Sequence, residues 1–165
     1  MQAWFCETLS GPEGLVWKEV PTPEPGPGEV RIAIRAASLN FPDILIVQGK
    51  YQFKPALPFV PGSEYAGVVE ALGEGVTNLK VGDAVAAMGS TGGFATHALA
   101  PAKQVLKLPP GFALEDAAAF ALTYGTTHHA LVDRAALKAG ETVLVLGAAG
   151  GVGTSAIQIA KAVGA

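Results

Sequence analysis

A chain of 165 residues that is 50% apolar and only 15% charged excludes intrinsic disorder, because it carries enough apolar surface to offset the ordering of its backbone. Its 11 basic and 14 acidic residues leave a net charge of −3 with no Lys/Arg cluster, which argues against nucleic acid and membranes as partners. One cysteine, Cys6, excludes an internal disulfide and a zinc site of several thiolates, and points to a reduced, cytoplasmic setting.

The length fits one ordinary domain, or one domain and part of another. No basic region followed by an apolar core opens the chain, so no signal peptide is expected. Nine of the 12 prolines precede Gly62, whereas alanine dominates after Gly111. The first part is therefore expected to be turn-rich and strand-like, the later part helical.

Short strands are predicted around residues 2–6 and 15–20, before a proline stretch (21–28) that can sustain neither ladder nor helix. Residues 29–36 alternate strictly. Val30, Ile32, Ile34 and Ala36 share one face and Glu29, Arg31 and Arg35 the other, the pattern of a half-buried strand. Asn40-Phe41-Pro42 predicts a helix start and Gly49 its stop, giving a short helix over 42–48. Further strands are predicted over 65–72, 84–88, 94–100 and 104–108. Their close spacing between glycine-rich turns suggests an antiparallel barrel or sandwich. Helices are predicted over 114–122 and 126–137. Val143-Leu144-Val145-Leu146 has the continuous apolar character of a parallel strand covered on both faces. A helix follows over 155–163, with Ala156, Ile159, Ala160 and Val163 on one face.

The loop between that strand and helix, Gly147-Ala148-Ala149-Gly150-Gly151-Val152-Gly153, carries the strongest chemical signal. A helix opening directly after a buried strand presents unpaired N–H groups and a positive dipole end, which suit a pyrophosphate. Glycine at 150 lets the backbone approach phosphate, and glycine at 153 lets helix and strand pack closely. Ala148 replaces the first glycine expected after Gly147, so G-x-G-x-x-G is only partly met. Two other readings stand beside this one: a tight turn with no ligand, and a membrane span over 142–160, which holds no charge. Clustered polar and flexible residues in mid-span speak against the latter.

Taken in order, Asn40-Phe41-Pro42-Asp43, Gly49-Lys50-Tyr51, Leu57-Pro58-Phe59-Val60-Pro61-Gly62-Ser63-Glu64-Tyr65-Ala66-Gly67-Val68-Val69, Val81-Gly82-Asp83-Ala84-Val85, Gly92-Gly93-Phe94-Ala95 and the 147–153 loop resemble the medium-chain dehydrogenase/reductase superfamily, specifically its zinc-free quinone oxidoreductase (zeta-crystallin-like) branch. The resemblance implies a mixed α and β fold: a GroES-like antiparallel barrel over residues 1–110, a helical connection over 111–139, and over 140–165 the truncated start of a Rossmann NAD(P)-binding domain. In such enzymes the nicotinamide lies between the two domains. Family members continue about as long again, so the chain is expected to be an N-terminal fragment, and an isolated 165-residue chain to be inactive.

Zinc-dependent members place a Cys at the position of Asn40 and a His at that of Ser63, so the resemblance implies no metal. His97 falls in a strand pattern. His128 and His129 are helix neighbours whose side chains diverge by about 100° and chelate one ion poorly. Without a Lewis acid, the chemistry implied is hydride transfer from NADPH, with NADH not excluded, to a quinone or an α,β-unsaturated carbonyl. An enoyl-thioester reductase and a non-catalytic interaction module are the alternatives. Asn40 and Tyr51 are implied to border the nicotinamide, with the Tyr51 phenol donating to a developing enolate; by themselves they read equally well as a helix cap and a loop residue. Thr126 matches a threonine that approaches the nicotinamide amide, and alone reads as a helix N-cap. The loop residues Gly147, Ala148, Ala149, Gly150, Gly151, Val152 and Gly153 complete the cofactor set. Glu64 and Asp83 are expected to hold barrel turns, and Cys6 to be a buried strand residue. The expected partners are a small-molecule acceptor and a second copy of the chain in a homodimer. The residue that separates NAD from NADP is expected roughly 20 residues beyond the glycine loop, past Ala165.

Overall fold

The computed structural model describes all 165 residues, which form two compact units, Met1–Ala119 and Phe120–Ala165. The first contains seven strands: β1 (Gln2–Cys6), β2 (Leu15–Glu19), β3 (Glu29–Ala37), β4 (Glu64–Leu72), β5 (Ala84–Met88), β6 (His97–Pro101) and β7 (Val105–Lys107). β1 and β2 make an antiparallel pair, with Trp4 opposite Trp17 and the two indoles tilted against each other at 5.2 Å. The other five form an antiparallel sheet in the order β6-β3-β4-β5-β7.

The alternating segment explains the interior of this sheet. Val30 and Ile32 of β3 are fully buried among Val69, Val85, Ala98, Ala100 and Val105. Register shifts at Arg31/Ile32 and Ile34/Ala36 break the β3–β4 ladder twice, and such bulges increase local twist and bend the strand. Gly67 is required here: a Cβ on it would lie 2.1 Å from the Ala33 carbonyl oxygen. α1 (Phe41–Val47) turns Ile46 and Val47 into a second cluster with Cys6 and Phe59. α2 (Leu114–Ala118) sets Ala117 and Ala118 against Ala66 and Ala86, small residues that allow close approach of helix and sheet.

The second unit contains α3 (Ala121–His128), which continues as a π-helical turn over His129–Arg134, and α4 (Gly151–Val163). The segment between these helices is tied to the end of α4 where Gly140 N–H donates to the Gly164 carbonyl at 2.9 Å.

Several expectations are corrected. Residues 143–146 form no strand: every strand of the chain lies in the two antiparallel sheets of the first unit, and Leu144 and Leu146 are 83% and 85% exposed. A parallel strand needs ladder partners on its edges, and none is present in these 165 residues. The first unit's sixth strand starts at His97 because Phe94 and Ala95 turn to β1 instead, with Trp4 N–H on the Phe94 carbonyl at 2.9 Å and a bridge from Ala3 to Ala95. The helix predicted over 114–122 stops at Ala118, since Ala117 and Ala118 bury against the sheet while Phe120 stacks on Tyr124 at 4.5 Å. The helix predicted over 126–137 starts earlier, at Ala121, and its wide turn ends at Arg134, before Ala136 takes a positive φ of 51°. α4 begins four residues earlier than expected because three loop residues, Gly151, Val152 and Gly153, are already helical.

Candidate functional site

α4 gives the glycine loop its geometry. Gly150 is the N-cap, with no side chain to cap the helix, and the intrahelical ladder begins with Thr154 N–H on the Gly150 carbonyl at 2.8 Å. The N–H groups of Gly151, Val152 and Gly153 precede that ladder and face the loop end, the arrangement that binds anions. Gly147, Ala148, Ala149, Gly150, Gly151 and Val152 are exposed, and Gly153 is buried.

The glycines differ in what demands them. Gly147 has φ +74°, which disfavours any side chain. A Cβ on Gly153 would lie 2.3 Å from the Gly147 carbonyl oxygen, so the helix packs on its own loop only through glycine. Gly150 is different. Its φ of −79° suits any residue, and a Cβ there would meet nothing closer than 3.6 Å. Neither backbone conformation nor protein packing calls for glycine at 150, and the space beside it is free for a ligand. The loop therefore fits a pyrophosphate by this cradle.

Thr126 is exposed on α3, while its neighbour Thr127 is buried and bonds Ser155 of α4. In the second unit, Thr126 and the 147–153 loop thus flank a buried hydroxyl contact that holds their two helices together.

In the first unit, Asn40 is the N-cap of α1, as its Asn-x-Pro setting predicts. Its main-chain N–H donates to Asp43 Oδ2 at 2.9 Å, and its Nδ2 donates to Ser38 Oγ at 2.8 Å. Ser38 Oγ in turn donates to Glu64 Oε2 at 2.7 Å, and Ser63 Oγ to Asp43 Oδ1 at 2.5 Å. Asp43, Ser63 and Glu64 are all buried. This network is what the sequence reading missed. Glu64, expected at a turn, opens β4 instead; its signal was a carboxylate placed directly before an apolar strand. Asp83 does hold its turn, accepting Lys80 N–H at 3.0 Å, and pairs with Lys107 Nζ at 2.8 Å.

Asn40 lines an apolar cavity of about 360 Å3 with Leu15, Leu39, Ile44, Val47 and Phe94. Leu15, Leu39 and Phe94 also line a larger cavity of about 540 Å3 that reaches Trp4, Trp17 and Arg35. Tyr51 is half-buried and packs against the Cys6, Ile46, Val47 and Phe59 cluster rather than lining the smaller cavity. Both cavities belong to the first unit, and the neutral carboxamide of Asn40 lines the smaller one.

The histidines stand elsewhere. His97 faces Glu70 at 3.5 Å and Thr96 at 3.0 Å, while His128 and His129 are exposed and both face Asp133. Cys6 is buried, and burial pushes its thiol up from its ordinary value. No helix is long and apolar enough to cross a membrane.

The alcohol dehydrogenase GroES-like domain family matches residues 26–110. The human quinone oxidoreductase is 42% identical over 166 residues, covering 99% of this chain and 50% of that protein. The mycocerosic acid synthase-like polyketide synthase of Mycobacterium tuberculosis is 44% identical over 141 residues, 86% of this chain and 7% of that protein. Among solved structures, the quinone oxidoreductase from Thermus thermophilus, determined with and without NADPH, superposes with a TM-score of 0.87 at 39% identity over 99% of this chain and 51% of its own. The chain spans about half the length of the quinone oxidoreductases it matches.

Proposed function

The chain belongs to the alcohol dehydrogenase GroES-like domain family of the medium-chain dehydrogenase/reductase superfamily, and on that premise we propose that it is part of an NADPH-dependent reductase of quinones or α,β-unsaturated carbonyls that works without zinc. The observation that carries this reading is the open N-terminus of α4 at Gly150, where neither a steric clash nor a positive φ demands glycine and the space a Cβ would take is free. The N–H groups of Gly151, Val152 and Gly153 would hold the pyrophosphate, with Gly147, Ala148 and Ala149 shaping the approach. Residues 140–165 are read as the opening of the dinucleotide-binding domain. Thr126, Asn40 and Tyr51 are assigned to the nicotinamide.

When bound, the nicotinamide supplies a hydride. The chain's residues supply the rest. Reduction of a quinone or conjugated carbonyl leaves a developing oxyanion that needs a donor and a proton. The Tyr51 phenol serves as that donor, its ring held against the Cys6 cluster. Asn40 adds a neutral amide donor beside an apolar cavity suited to a flat acceptor. The zinc-free reading is supported by donor chemistry: Asn40 and Ser63 offer a carboxamide and a hydroxyl, poor zinc ligands, the first bonded to Ser38 and the second to Asp43. NADPH is favoured by the named NADPH complex of the Thermus thermophilus enzyme. The single buried thiol suits a reducing, cytoplasmic setting.

Similarity to the mycobacterial polyketide synthase favours a second reading, reduction of an enoyl thioester by the same site. One experiment tests both. NADPH oxidation by the full-length protein is followed with a panel of quinones, enones and enoyl thioesters. Oxidation that depends on the acceptor is expected, and the preferred class chooses between the readings. No oxidation with any of them, or no binding of NADPH in a nicotinamide fluorescence titration, overturns the proposal in favour of a non-catalytic module.

A further inference from the structure

The Asn40 side chain is held by a chain of hydrogen bonds whose direction is set at its far end. Glu64 is fully buried at the start of β4, and its Oε2 accepts the Ser38 hydroxyl proton at 2.7 Å. A serine hydroxyl has one proton. Having given it to Glu64, Ser38 Oγ can only accept from Asn40, and it does so from Nδ2 at 2.8 Å. Ser38 itself is fixed by its main chain, with its N–H on the Glu64 carbonyl at 3.1 Å. At the other side, Asp43 binds the Asn40 main-chain N–H at 2.9 Å, and the Asp43 N–H donates to the Asn40 main-chain carbonyl at 3.0 Å. Ser63 holds Asp43 in place through its other carboxylate oxygen.

We infer that Ser38 and Glu64 are positioning residues that fix which way the Asn40 carboxamide faces. The NH2 group is turned to Ser38, which uses one of its protons, and the second Nδ2 proton is left for whatever occupies the cavity that Asn40 lines. A helix cap alone does not require this. The cap is satisfied by the main-chain contacts of the Asn40–Asp43 pair, yet Ser38, itself bonded to a buried carboxylate of another element, takes one proton of the amide. This rests on the reading of Asn40 as a site residue, and it deepens that reading by naming the group presented: an amide donor rather than an acceptor.

The test uses the full-length protein with three sets of variants. In 15N spectra, the Asn40 amide pair, identified by its loss in Asn40→Ala, is expected to show one proton shifted and protected from exchange. In Ser38→Ala the protection is expected to disappear, while Ser38→Thr, which keeps the hydroxyl, restores it. Glu64→Gln, which can donate to Ser38 and reverse the chain, is expected to shift the pair without abolishing the fold, as checked by thermal melting. In turnover, Ser38→Ala is expected to lower kcat on the order of tenfold or more and to add nothing further to Asn40→Ala. Ser38→Thr is expected to recover most of the lost turnover. An Asn40 amide signal unmoved by Ser38→Ala overturns the positioning role whatever the activity shows. A protected amide together with an Asn40→Ala enzyme of undiminished turnover leaves the positioning role standing and overturns the assignment of Asn40 to the reaction.

Discussion

Thr127 Oγ1 and Ser155 Oγ lie 2.6 Å apart, both buried, and join α3 to α4. Each hydroxyl also reaches main-chain oxygens. The pair holds two protons, so one makes the bond between them and the other goes to a main-chain oxygen, the Thr123 carbonyl 2.9 Å from Thr127 or the Val152 carbonyl 2.9 Å from Ser155. The contact sits behind the helix N-terminus that the glycine loop opens, so it fixes the element on which the phosphate reading depends.

Thr127→Val keeps the shape and removes the hydroxyl, leaving the buried Ser155 one partner short. A loss of about 1–3 kcal/mol is expected, read from urea unfolding of the full-length protein. The neighbouring Thr126→Val lies on the surface and is expected to change stability by less than about 0.5 kcal/mol, while weakening NADPH binding in a fluorescence titration.

Gly150→Ala and Gly153→Ala should fail in different ways. At 150 the protein has room for the methyl and the backbone suits alanine, so stability is expected to fall only by the poorer N-cap, about 1 kcal/mol, while NADPH affinity drops about tenfold, equivalent to about 1.4 kcal/mol. At 153 the methyl would strike the Gly147 carbonyl, so folding itself is expected to weaken. Equal affinity in wild type and Gly150→Ala would sink the phosphate assignment.

The Lys107 ammonium, hydrogen-bonded to Asp83, holds that carboxyl below its ordinary range, helped by Lys80 N–H. A depressed folded-state value means that the contribution is present above the unfolded value of about 3.9 and is lost as pH falls through the lower folded value. Lowering the pH from about 6 to about 3 is therefore expected to reduce the urea midpoint more in wild type than in Lys107→Met.

Burial pushes the Tyr65 phenol up to about 12. The folded state then resists ionisation, so stability is expected to fall as pH rises from the ordinary tyrosine value of about 10 toward 12. Tyr65→Phe is expected to flatten that alkaline decline in thermal melts across the same range.

Tyr51→Phe separates packing from chemistry. The ring keeps its contacts with the Cys6, Ile46, Val47 and Phe59 cluster, so stability is expected to be unchanged. Loss of the phenol is expected to lower kcat about 10²-fold or more, the scale of one general-acid contribution. Full turnover in this variant would remove Tyr51 from the reaction.

Much of this protein was determined locally. Alternation over residues 29–36 specified β3 and its buried face because side chains on a strand alternate by necessity. Asn40, Pro42 and Gly49 marked the ends of α1, since capping and a positive φ are properties of single residues: Gly49 does take φ +68°. The order and spacing of short motifs carried the family. Non-local partners decided the rest. Residues 143–146 have the composition of a strand, yet a strand exists only where another edge accepts its hydrogen bonds, and these residues pair with none. Glu64 looked like a turn residue because sequence cannot show that Ser38, on the far side of α1 in the chain, would come within 2.7 Å of it. The glycines of the loop were alike in sequence. Only the folded backbone distinguished Gly153, which its own loop crowds, from Gly150, beside which there is room for a side chain. Burial, distance and direction of a hydrogen bond are properties of packed segments, and they appear only when the chain has been brought together.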